Sequence, residues 1–153
     1  MNGLVKTYLR FAAMIATSTA VMYGLTYVNT YAFDHVFFSE MRLYMALLMG
    51  AAMAVVMLTF MLHMHTSRRA NVAIYLASAA VFAGSLWLVR SQATVGEVAW
   101  MKAMIPHHSI AILTSERAQI DDPRVRDLAD RIIEAQVAEI EEMRALIAEL
   151  EGD

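Results

Sequence analysis

Three charge-free apolar stretches, at about residues 11–28, 43–62 and 72–89, dominate the first 90 residues of the chain. A helix needs about 20 mainly apolar residues to cross a bilayer, and each stretch approaches that length. Lys6 and Arg10 precede the first stretch as basic residues precede a signal sequence. That stretch is long, however, and no small-x-small cleavage site ends it, so it is read as a retained span.

Orientation follows from the Lys and Arg residues of short loops. Lys6 and Arg10 stand before the first stretch, and Arg68 and Arg69 lie between the second and third. Both pairs belong on the cytoplasmic side. The loop from Asn29 to Arg42 and everything after Arg90 then lie outside; Arg42 and Arg90, at span ends, can snorkel. The expectation is a multi-pass protein of a bacterial inner (cell) membrane. Its N-terminus is cytoplasmic and its C-terminal domain periplasmic or extracellular.

Charge divides the chain at the same point. Residues 1–90 hold six basic residues against Asp34 and Glu40, whereas residues 91–153 hold six basic and thirteen acidic ones. The expected organisation is a membrane domain over 1–90 and an extracytoplasmic helical domain over 91–153, all-α throughout. The hydrophobic share of 59% exceeds the roughly half expected of a soluble domain. With no Cys and 13 Met, thioether is the soft metal ligand available.

The spacing Thr94-Val-Gly-Glu97 predicts a capping box, and from it a helix to about Ala118. Gln119–Pro123 reads as a turn. Asp122 is a good N-cap and Pro123 suits the first position of a last helix, to about Leu150. On that helix Leu128, Ala129, Ile132, Ile140, Leu146, Ile147 and Leu150 share an arc, and Gln136, Glu139 and Met143 fall inside it. A buried carboxylate costs several kcal/mol unless paired or metal-bound, so Glu139 in a core demands a reason.

The preceding helix places Met101, Met104, His108, Ala111, Ile112 and Ser115 on one face, with His107 to the side and Pro106 in mid-helix, where it should bend the backbone. Packed antiparallel, the two helices would bring Met101, Met104 and His108 toward Gln136, Glu139 and Met143. Thioether favours Cu(I), and imidazole suits Cu(I) and Cu(II) alike. Zinc rarely takes thioether, and a di-iron centre needs Glu-x-x-His pairs that the chain lacks. Copper, as Cu(I) before Cu(II), is the cofactor expected. The plainer reading is that the three Met are core filler.

The two motifs Met104-Ile-Pro-His-His108, followed by Ala111-Ile112, and Leu128-Ala-x-x-Ile132-Ile-x-x-Gln136-x-x-Glu139-Ile-x-x-Met143 resemble the domain-of-unknown-function 305 family. The resemblance covers about residues 94–150. It implies a helical fold, ferritin-like in outline, and copper bound through Met and His. Carried over by position, it points to Met101, Met104, His107, His108 and Met143, with Gln136 and Glu139 as the signature of the second helix. Many relatives have a Met where this chain has Ile112 or Leu113. Three spans before the domain also fit a membrane-anchored member.

The second apolar stretch carries Met41, Met45, Met49, Met53, Met57 and Met61, four apart, with His65 next in the series and His63 and Met64 beside it. A spacing of four drifts about 40° per step, so the stripe winds around the helix. Packing explains it more simply than a metal relay does.

No nucleophile–base pair or phosphate loop appears, so an enzyme is not expected. The partners expected are a metal ion, the lipid bilayer and a second copy of the chain, because a two-helix hairpin buries little alone and two would make a four-helix bundle. Nucleic acid is not expected. The leading reading is an extracytoplasmic copper-binding protein for copper tolerance, buffering or delivery. The alternative is a non-catalytic membrane structural or assembly protein whose hairpin is an interaction module.

Overall fold

The computed structural model describes residues 3–152. Among the described residues there are five α-helices and no strand: α1 Gly3–Leu25, α2 Glu40–Phe60, α3 Arg68–Ser91, α4 Glu97–Arg117 and α5 Pro123–Glu151. A short 3-10 turn, Phe33–His35, lies between α1 and α2. The chain forms two compact units. One holds α1 and Met41–Thr94; the other holds Thr26–Glu40 and the chain from Val95 onward.

In the first unit, Phe11 of α1 is buried with Ala54 and Leu58 of α2, and Ile74 and Tyr75 of α3 pack against them. α1 and α2 approach closely at Gly50: a Cβ there would overlap the Thr19 hydroxyl. Small residues permit such close approach of apolar helices. Thr59 and Tyr75 share a hydroxyl contact of 2.9 Å, and Tyr44 and Thr94 share another of 2.9 Å. These pairs join the end of α2 to the start of α3, and the start of α2 to the chain just after α3, so the two helices run antiparallel. Ser67 caps α3 by accepting from the Ala70 N–H. At the other end Gln92 adopts the left-handed region at φ 54, and its N–H bonds the Leu88 carbonyl. α3 exposes Leu76, Phe82, Leu86 and Trp87, a surface suited to lipid.

Among the described residues two helices, α2 and α3, are long and apolar enough to cross a membrane. The first of the three expected spans is corrected. α1 ends at Leu25, short of Val28, and its charge-free part begins only at Phe11. That leaves less than the roughly 20 residues a span needs, and the Thr17-Ser18-Thr19 run dilutes it further.

In the second unit α4 and α5 share one core: Met101, Ile105 and Ile112 from α4, and Ile140, Met143 and Ile147 from α5. Lys102 pairs with Glu151 at 2.6 Å, and Arg126 donates to the Ser115 carbonyl at 3.1 Å. The start of each helix therefore lies by the end of the other, so they run antiparallel. Asp122 accepts from the Arg124 N–H and Pro123 opens α5, as the sequence predicts. Gly152, at φ 80, closes it. The predicted capping box at Thr94 does not form. Gly96 is the N-cap of α4, without a side-chain cap, and the Thr94 hydroxyl bonds Tyr44 instead.

The expected arc of α5 is also corrected. Ala129, Ile140, Met143 and Ile147 are buried, but Leu128, Ile132, Leu146 and Leu150 are exposed. The apolar arc is wider than one partner helix covers, and α4 takes the side centred on Ile140. Glu139 lies at the edge with half of its side chain in solvent, so its carboxylate is not buried.

Candidate metal centre on the α4–α5 pair

The register of the two helices puts the sequence-predicted residues in adjacent layers. In an antiparallel pair, moving one turn forward on α4 matches one turn back on α5. Met104 and Met143 therefore share one layer, and His108 and Glu139 the next. Met101 and Met143 are buried in the common core, and Met104 packs against it.

His108 is largely enclosed, at 14% side-chain exposure. Its Nδ1 lies 3.0 Å from Glu139 Oε2. The two are at ion-pair distance but not aligned as a hydrogen bond, and Nδ1 is left without a hydrogen-bond partner. Burial lowers the His108 pKa from its ordinary value; the Glu139 carboxylate opposes that and His107 adds to it. The imidazole is therefore held toward its neutral form, the form that binds metals. Gln136 Nε2 donates to the same Glu139 oxygen at 3.3 Å. Gln136, Glu139 and His108 thus form one polar chain at the edge of the sulfur-bearing core.

His107 stands apart. It is exposed, and its ring centroid lies 6.5 Å from that of His108 at a tilt of 60°. Pro106 is fully buried within a continuous α4. Among the described residues no group of three His, Asp or Glu side chains could hold a metal ion. What the pair offers is one imidazole, one carboxylate and up to three thioethers. That donor set suits a soft ion far better than zinc or calcium.

Sequence reasoning missed the other flank. The segment Thr26–Glu40 lies against α4 and α5 through Ser109, which is completely buried. Its Oγ accepts from the Tyr31 N–H at 2.7 Å and meets His35 Nδ1 at 2.9 Å. Arg144 of α5 bonds Asp34, and Phe37 packs on the core. Burial lowers the His35 pKa, with Asp34 opposing and Arg144 assisting. The hydrogen bond from Arg144 holds the Asp34 carboxyl below its ordinary range. A lone Asp-His pair in a loop gives no local signal of a partner so distant in sequence.

Fold and site together define a helical protein with, among the described residues, two helices long and apolar enough to cross a membrane and a Met/His-bearing helix pair. Residues 87–151 match the family model described as Domain of unknown function (DUF305). An uncharacterized protein of Acanthamoeba polyphaga mimivirus is 38% identical over 66 residues, which are 42% of this chain and 43% of that protein. The chain thus spans less than half the length of the curated relative it matches. No solved structure matches.

Proposed function

We propose that this protein binds copper outside the cytoplasm, on the α4–α5 pair, and serves copper tolerance, buffering or delivery. One observation carries the reading: a largely buried imidazole, His108, kept toward its neutral form, sits one helical turn from Met104 and beside the layer of Met143. A neutral imidazole with thioethers is a Cu(I) donor set. Met104, His108 and Met143 are the central ligands. Met101 is a reserve thioether deeper in the core, and His107 a ligand that reaches in from the surface. Glu139 and Gln136 orient His108. The bound ion would supply no reaction of its own here; the side chains hold it and shield it from water.

The topology supports an extracytoplasmic site. Thr26–Glu40 and the α4–α5 pair form one unit. In the chain they connect to the start of α2 and the end of α3, two ends that lie on one side if that antiparallel pair crosses a membrane. Arg68 and Arg69, at the opposite end where α3 begins, favour the cytoplasmic side for that end.

A second reading, an interaction module of a membrane assembly, draws on exposed Trp100, Leu128, Leu146 and Leu150. A second copy laid on these side chains would complete a four-helix bundle. Titration of the purified protein with Cu(I), Cu(II) and Zn(II) separates the readings. Wild type should bind Cu(I) most tightly, and His107→Ala/His108→Ala should lose the copper held on the α4–α5 pair. Equal copper binding by both would sink the copper reading.

A further inference from the structure

His65 follows α2 in the turn before α3, and it is 1% exposed. Its ring is walled by Tyr8 and Phe11, both edge-on, at centroid distances of 4.9 and 5.2 Å. Nδ1 lies 2.9 Å from the Met61 carbonyl. A carbonyl can only accept, so Nδ1 carries the hydrogen and Nε2 presents a bare lone pair. Nε2 is buried and without a hydrogen-bond partner.

The surroundings hold this ring rigidly. The His65 carbonyl accepts from Asn71 Nδ2 at 2.7 Å, and Asn71 Oδ1 accepts from the Tyr8 hydroxyl at 2.6 Å. Three elements thus converge on one residue whose single free function is an inward lone pair. A ring N–H tied to a backbone carbonyl, with the other nitrogen bare, is how proteins prepare a metal-binding imidazole. The residue also ends the four-spaced series Met41, Met45, Met49, Met53, Met57 and Met61. Met57 packs against the cluster of Phe11, Ala54 and Leu58, and Phe11 of that cluster also meets the His65 ring.

We propose that His65 is the imidazole ligand of a second soft-metal site, which takes Cu(I) through Nε2 with the thioethers of Met57 and Met61. The site lies in the other unit from the α4–α5 centre and does not depend on it. It gives the methionine series an end point in the turn just before Arg68 and Arg69 open α3.

The test uses the full chain in detergent micelles, with His107→Ala/His108→Ala as the background so that the α4–α5 imidazoles are gone. Cu(I) is added against a chromophoric chelator. The background variant should retain a single Cu(I), and copper-edge X-ray absorption should show imidazole and sulfur scattering. Adding His65→Phe, which keeps a ring beside Tyr8 and Phe11, should remove that imidazole signal and the retained ion. Met57→Leu and Met61→Leu should each weaken retention roughly tenfold. If His65→Phe fails to fold by circular dichroism, the leucine variants and the absorption spectrum decide. No retained copper in the background variant, or retention unchanged by His65→Phe, overturns the proposal. Failure of the α4–α5 centre shows instead as equal binding by wild type and the background variant.

Discussion

Arg144 of α5 donates to the carboxylate and the backbone carbonyl of Asp34, a residue 110 positions earlier in the chain. The pair ties the loop between α1 and α2 to the helices that carry the candidate site. Both side chains are partly in solvent, at 37% and 63% exposure, so the bond positions the loop more than it stabilises the unit. Asp34→Ala should therefore speed amide hydrogen exchange at His35 and Val36, whose N–H groups bond Ala32 and Phe33. Exchange in the core of α2, at Leu58, should not change. Unaltered exchange at His35 and Val36 would show that the loop is held without this pair.

The loop should also respond to pH. Burial sets the His35 pKa below its ordinary 6.5, so the unfolded chain takes up the proton more readily than the folded one. Stability then rises with pH across this window. It is fully present above 6.5 and is lost as pH falls through the lower folded value. The His108 pKa is lowered in the same direction, so the two add. The unit of α4 and α5 should melt at a lower temperature at pH 5.5 than at pH 7.5, and His35→Asn should shrink the difference. A melting temperature indifferent to pH over this range would contradict the burial argument.

What the sequence reveals and what it hides divide along physical lines. The start of α5 is legible because Asp122 and Pro123 are local signals that act within one turn. Met101, Met104, His108 and Met143 are legible as neighbours because helical periodicity and antiparallel register suffice to align them. The Thr94 cap is misread because Gly96 starts α4 just as well and Tyr44 claims the Thr94 hydroxyl from far along the chain. The first span is misread because apolar content alone does not reveal where α1 ends. Ser109 and Tyr31 are 78 residues apart, and nothing in either neighbourhood announces the other.

The exposed arc of α5 yields the last expectation. Leu128, Leu146 and Leu150 are 48%, 42% and 54% exposed, on the helix whose other side is already buried against α4. Single exposed apolar residues are ordinary, but a row at helical spacing marks a contact surface. The buried side should behave as a core: Ile105→Ala, at 0% exposure, should cost roughly 2–5 kcal/mol of unfolding free energy. The exposed side should behave as an interface. Leu146→Glu should leave the melting temperature of dilute protein nearly unchanged, because the side chain already meets solvent. If two copies pair through this face, the same variant should convert dimer to monomer in sedimentation of the detergent-solubilised chain. A wild-type chain that sediments as a monomer at high concentration would remove the four-helix bundle. The surface would then belong to a different partner or to the bilayer.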